Sequence, residues 1–201
     1  MRAAHAVRLR RAVVSDAAAM AAVMVAAWRH GYRGIVADEV IEAQTVERWE
    51  PVLAAALGPG AGADAGAVVA VDDVERVIGF AGFNPDPDDP AAGHLASLYV
   101  DPAAAGAGIG GRLVQRALAE LANAGRPAVT LWVFRDNARA RALYERCGFR
   151  TDGTELVDLR WRVPQVRYRF EPPEPPEPLR RAQPRDVNNS RPSPDCRRVS
   201  T

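Results

Sequence analysis

Residues 98–113 read Leu-Tyr-Val-Asp-Pro-Ala-Ala-Ala-Gly-Ala-Gly-Ile-Gly-Gly-Arg-Leu, an apolar strand-like stretch that passes through four glycines into a helical pattern. A helix N-terminus offers unpaired N–H groups and the positive end of the helix dipole, which suits a phosphate or pyrophosphate. Glycines let such a ligand approach the backbone with no Cβ in the way. Gly106, Gly108 and Gly111 spell the dinucleotide fingerprint G-x-G-x-x-G, but there the glycines follow their strand directly. Here Asp101 to Ala105 intervene, and Asp136 lies beyond the spacing at which a ribose-binding carboxylate is expected. A purely structural glycine-rich helix start is the other reading of this segment.

Asn137 and Tyr144 stand seven residues apart in a helical stretch, two turns and therefore one face. They can serve a ligand on that face, or they can be a helix cap and a core aromatic, since Tyr144 shares its face with Ala140, Leu143 and Cys147. His94 opens the strand that leads to the glycines. Its imidazole titrates in the range a general base needs, although a histidine at a strand start is also ordinary polar surface. Trp28 belongs to the stripe Met20, Val23, Met24, Ala27 and Trp28, the spacing of a buried helix face.

The surrounding elements must hold these residues. Val7–Val13 reads as a strand and Ser15–Arg29 as a helix, with Ser15-Asp16 as its N-cap. Asp38–Leu57 is helical with a break expected at Pro51, and 58–66 is a glycine- and alanine-rich loop. Strands are predicted over 68–71, 76–83, 94–100, 128–134, 149–160 and 166–170, with an exposed loop over 84–90. Helices over 110–124 and 137–147 stop at Gly125 and Gly148. Successive strands give antiparallel meanders and the later helices give crossovers, so the fold class is α+β with a mixed, mostly antiparallel sheet.

Residues 1–170 are expected to form one domain and 171–201 a tail. The tail repeats Pro-Pro-Glu and then runs through Arg, Pro, Ser, Asn and Asp, too polar to bury the surface that ordering requires. The 26 basic and 25 acidic residues nearly cancel, which argues against a nucleic-acid partner. Every basic residue is an arginine, so arginine density reflects composition rather than a patch. Cys147 and Cys196 form neither a disulfide framework nor a metal-ligand spacing, so no metal is expected. Arginines ahead of the apolar run 17–28 resemble a signal peptide superficially, but the run is too short to span a bilayer. A cytoplasmic protein with no membrane partner is expected.

In order and spacing, Leu98-Tyr99-Val100-x-Pro102, Gly106-x-Gly108-Ile109-Gly110, Leu131-Trp132-Val133, Asn137, Ala140, Tyr144-Glu145 and Cys147-Gly148-Phe149 resemble the GNAT acetyltransferase series. Trp28, Tyr32-Arg33-Gly34-Ile35 and Val46-Glu47-Arg48-Trp49 resemble one bacterial branch of it. The likeness covers about residues 6–170. It implies an N-acetyltransferase that uses acetyl-CoA as co-substrate and a primary amine as acceptor, and a homodimer would be common for it. The pantetheine arm would pair with the backbone at Leu98 and Val100, and the pyrophosphate would lie on Ala105, Gly106, Gly108, Ile109, Gly110 and Gly111. Asn137 would bond the arm, Tyr144 would protonate the leaving sulfur, and Trp28 and Tyr32 would line the acceptor pocket. His94 stands where relatives often carry a glutamate, which makes it the candidate base. Ala105 departs from the family, whose loop usually begins with Gln or Arg, so a side-chain contact near the pyrophosphate is missing. An acyl-CoA-binding module with little catalysis is the alternative, and a nucleotide-dependent oxidoreductase is the third reading.

Overall fold

The computed structural model describes residues 7–62 and 64–172. The tail predicted from 171 onward, apart from Glu171 and Pro172, lies outside the described residues, as does Cys196. Seven strands form one sheet: β1 (Arg8–Arg11), β2 (Gly66–Val71), β3 (Val77–Pro85), β4 (Gly93–Val100), β5 (Val129–Phe134), β6 (Arg150–Asp158) and β7 (Val163–Phe170). Their order is β1-β2-β3-β4-β5-β7-β6. All neighbours are antiparallel except β4 and β5, which the crossover helix between them makes parallel.

Five helices cover the two faces: α1 (Ala17–Gly31), α2 (Asp38–Glu42), α3 (Val46–Leu57), α4 (Ile109–Asn123) and α5 (Ala138–Arg146). The centre of the sheet is buried on both sides while the edge strand β6 is exposed, and β2 shows why its sequence is an unbroken apolar run. Val68 and Ala70 join the core beneath α4, with Leu113, Val114, Ala117 and Leu121. Val69 and Val71, pointing the other way, join the core beneath α1, with Met20, Val23, Met24 and Trp28.

Both predicted glycine stops are formed. Gly125 and Gly148 take φ of +81° and +97°. The N–H of each following residue reaches back into the last turn, Arg126 to Leu121 O at 2.9 Å and Phe149 to Tyr144 O at 3.0 Å. Two local expectations are corrected. The helical region 38–57 breaks at 43–45 rather than at Pro51, which lies inside α3. The competing signal is Thr45, whose hydroxyl accepts the Arg48 N–H and starts a new helix, while buried Gln44 is held by Val40 O and by the Trp49 indole. Asp16 does not cap α1 through its side chain. Its carboxylate instead takes two bonds from Arg10, at 2.7 and 2.8 Å, and one from the Val13 N–H. An arginine on the neighbouring strand outcompetes the helix's own N–H groups. No described helix is long and apolar enough to cross a membrane.

Candidate active site

β4 and β5 pair only at Gly93–Val129 and His94–Thr130. Beyond His94 the two strands part, so β4 keeps β3 on one edge and has an open edge on the other. Within β4, Gly82 faces Ser97 while Phe83 faces Leu95, which makes Ala96 an extra, bulged residue at the point of divergence. The gap between the strands belongs to a cleft of about 1440 Å³. All thirteen residues singled out in the sequence line it: Trp28, Tyr32, His94, Leu98, Val100, Ala105, Gly106, Gly108, Ile109, Gly110, Gly111, Asn137 and Tyr144.

The glycine loop closes one end of the cleft. Asp101 accepts the Ala103 N–H at 2.9 Å and starts a short 3-10 turn, which hands the chain to Ala105 and then to α4. Gly106 and Gly108 have φ of +88° and +72°, and a Cβ on either would meet no atom within 4 Å. Their glycines are therefore required by backbone conformation, and the space above them is free for a ligand. Gly110 has a different reason: a Cβ there would come within 3.2 Å of Leu143 Cδ2, so its absence lets α5 lie against the start of α4. Arg112, in the first turn of α4, donates to Val7 O at 2.8 Å.

α5 forms one wall. Asn137 is its N-cap, with Oδ1 accepting the Ala140 N–H at 3.1 Å. The capping reading is thus correct, and it leaves the side-chain NH₂ as a donor at the cleft. Tyr144, 8% exposed, packs its ring against Phe149. Its hydroxyl makes no hydrogen bond among the described residues, and burial, with Tyr99 and Cys147 nearby, holds it protonated far above the ordinary phenol range. Its ring therefore belongs to the core, and its hydroxyl bonds to no described residue.

The face of the cleft toward α1 is walled by aromatic rings. Trp28 lies 4.6 Å from Tyr32 and 4.9 Å from Trp161, centroid to centroid, and Tyr32 meets Phe134 edge-on at 5.2 Å. The Trp28 indole donates to Tyr99 Oη at 3.0 Å. Burial raises the phenols of both Tyr32 and Tyr99. His94 Nδ1 lies 2.9 Å from Thr130 Oγ1, and that hydroxyl donates to Asp86. Burial lowers the His94 pKa against the pull of Asp86 and Asp88, so the ring is neutral at physiological pH. Burial would raise Asp86, but the bonds from Thr130 and from the Asp88 and Asp89 N–H groups outweigh it and hold the carboxyl below the usual range.

Tyr99, Trp161, Thr130 and Asp86 were not singled out by the sequence. Tyr99 was inside a recognised motif, where it read as a strand residue. Thr130 and Asp86 stand 36 and 44 residues from the groups they bond, and no local pattern announces such a contact.

The acetyltransferase (GNAT) family matches residues 19–149. A mycothiol acetyltransferase of Rhodococcus opacus is 39% identical over 101 residues, half of this chain and 31% of that protein. A probable N-acetyltransferase of Mycobacterium tuberculosis is 35% identical over 105 residues, 49% of this chain and 57% of that one. The chain thus spans about a third of the length of the mycothiol acetyltransferase it matches. Among solved structures, a PaiA N-acetyltransferase from Thermoplasma acidophilum, in complex with coenzyme A, superposes with a TM-score of 0.70 at 21% identity. It covers 83% of this chain and 99% of its own. A GCN5-related N-acetyltransferase from Kribbella flavida gives 0.65 at 23% identity, over 83% and 98%. These likenesses carry the fold, and the matched span carries the lineage: the chain belongs to the GNAT acetyltransferase family.

Proposed function

We propose that this protein transfers the acetyl group of acetyl-CoA to a primary amine of a small molecule, peptide or protein. The observation that carries the reading is the single cleft in which the open edge of β4 runs directly into the left-handed glycines at the start of α4. An extended arm can add to a strand edge as another strand would, and its pyrophosphate can rest on the helix N-terminus. The residues present fit such a ligand, because a free strand edge and a cradle with no Cβ meet in one channel.

Bound acetyl-CoA supplies an activated thioester, whose C–S bond breaks as a C–N bond to the amine forms. Gly106 and Gly108 keep loop N–H groups accessible to phosphate, and the Asn137 NH₂ donates to the arm. Unpaired N–H groups on the β4 edge stabilise negative charge on the carbonyl oxygen. His94 removes a proton from the acceptor ammonium, and Tyr144 gives its phenolic proton to the leaving sulfur. Tyr144 recovers a proton from the new amide nitrogen, and His94 loses its own to solvent. Trp28 and Tyr32 flank the acceptor. The name of the probable N-acetyltransferase relative supports acetyl transfer to nitrogen.

The test is thiol release from acetyl-CoA by the purified full chain across a panel of primary amines. Release that depends on the amine is the expected result. Tight acetyl-CoA binding with no release for any amine would make the protein an acyl-CoA-binding module. NAD(P) binding would instead favour the oxidoreductase reading.

A further inference from the structure

We infer that Thr130 and Asp86 are positioning residues that fix the tautomer of His94, placing the proton on Nδ1 and the lone pair on Nε2 at the cleft. The inference rests on the acetyl-transfer reading only for its catalytic consequence. The geometry follows from counting protons. Ionised Asp86 has only lone pairs to offer, so the hydrogen between it and Thr130 belongs to the threonine hydroxyl. A hydroxyl has one hydrogen, and this one is committed. The 2.9 Å contact between Thr130 Oγ1 and His94 Nδ1 can then be made only by an Nδ1–H that donates. Thr130 is 1% exposed and His94 lines the cleft, so the ring edge that reaches the cleft carries Nε2.

The position of the chain of bonds is also fixed. His94 and Thr130 are the last paired residues before β4 and β5 diverge, so the ring stands at the apex of the gap. Asp86 follows β3 and is clamped through Oδ1 by the N–H groups of Asp88 and Asp89, at 2.8 and 3.1 Å. The charged groups that face His94 are Asp86 and Asp88, both on the loop after β3, and β5 contributes the neutral Thr130. An Nε2 lone pair can accept the ammonium proton, and the resulting imidazolium is still held through its Nδ1–H. The opposite tautomer would present an N–H to the amine and could accept nothing.

The clamp on Asp86 makes one substitution diagnostic. In Asp86→Asn the amide oxygen must stay on the two loop N–H groups, which places the NH₂ against Thr130. The amide then donates to Oγ1, the hydroxyl turns to donate to Nδ1, and the proton of His94 moves to Nε2. The reversal follows from hydrogen-bond polarity alone and leaves size and shape unchanged.

The test is nitrogen NMR of the full chain labelled at its three histidines, with His94→Gln to assign the ring, alongside kcat for the best amine. The expected wild-type ring has Nδ1 protonated and Nε2 bare above its pKa. Asp86→Asn should switch it to Nε2–H and lower kcat by about a hundredfold, the low end for a lost general base. Thr130→Val should give mixed tautomers and a smaller loss, with KM for acetyl-CoA unchanged. Thr130→Ser restores the hydroxyl and should recover both readouts. A wild-type ring protonated on Nε2, or an Asp86→Asn ring and kcat like those of the wild type, overturns the relay. Absence of thiol release by the wild type with every amine overturns the acetyl-transfer reading and with it the catalytic half, while the tautomer still decides the relay.

Discussion

At the glycine-loop end of the cleft the walls are backbone: Gly106 and Gly108 in left-handed conformation, the first turn of α4, and the open edge of β4. Around His94 and on the face toward α1 they are side chains drawn from distant parts of the chain, among them Trp28, Tyr99, Thr130, Trp161 and Asp86. A backbone site needs only the local conformation that a short run of residues dictates. A side-chain site needs the whole sheet and its helices in register, because the groups arrive on several different elements. The first kind should therefore respond to changes of φ and tolerate added side chains. The second should respond to loss of single atoms.

Tyr144, which α5 carries into the same cleft, gives a larger expected effect than any change to the glycine loop. Tyr144→Phe keeps the ring packed on Phe149 and removes only a hydroxyl that bonds to no described residue. A positioned general acid contributes about 10²–10⁴-fold, and a thiolate is a fairly good leaving group, so kcat should fall by about tenfold to a hundredfold. Acetyl-CoA affinity and melting temperature should hold. A kcat within a factor of two of wild type would return Tyr144 to the core and make solvent the proton source.

Gly108→Val tests the backbone end. The position has φ of +72°, and a Cβ there would strike nothing, so the change acts through conformation rather than collision. A β-branched residue resists the left-handed region, the loop N–H groups turn away, and acetyl-CoA should bind at least tenfold more weakly, about 1.4 kcal/mol. Calorimetry that finds unchanged affinity in a folded variant would remove this loop from the ligand site.

How legible each end was follows from the same contrast. The sheet, the helices and the glycine stops were readable because alternation, helical spacing and left-handed glycines are local signals. Gly106 and Gly108 were readable for that reason too. The split of residues 38–57 was misplaced because Pro51 is the louder signal and the Thr45 cap with its buried Gln44 the quieter one. His94 was visible as a residue type, but its partners were not, since Thr130 reads as a β-branched strand residue and Asp86 as one of several loop aspartates. Ion pairs between elements were equally silent, as Asp16 shows.

Asp16 offers a smaller effect that should leave the backbone end untouched. It ties β1 to the start of α1, the helix that carries Trp28. The hydrogen bonds from Arg10 lead the forces that hold its carboxyl below the ordinary range against burial. A carboxyl with a lowered folded pKa contributes stability that is present above its unfolded pKa and lost as pH falls through the folded one. Arg10 is partly solvated, so Asp16→Asn should cost about 1 kcal/mol near neutrality, or about 2–4 °C in Tm. The difference from wild type should shrink as the pH is lowered into the carboxylate range, and acetyl-CoA affinity should not change. A Tm difference that persists undiminished at acid pH would show that packing rather than charge is what Asp16 supplies.

Ala105→Arg carries the smallest effect and bears most directly on the contrast. Ala105 is exposed, with φ of −63° and ψ of 149°, a conformation open to any residue, and it sits one position before the left-handed glycines. If the phosphate end is held by backbone N–H groups alone, an arginine here adds a charge-assisted contact without disturbing those already made. The gain is limited, because a solvated guanidinium gives back side-chain entropy and is screened, so surface charge pairs contribute about 0–1 kcal/mol. Acetyl-CoA should bind about threefold more tightly, near 0.6 kcal/mol, and the gain should shrink between low and high salt as screening shortens. A catalytic change in the absence of an affinity change would place Ala105 nearer the reacting atoms than the glycine loop allows. A loss of affinity at low salt would mean that the loop presents its other side to the ligand.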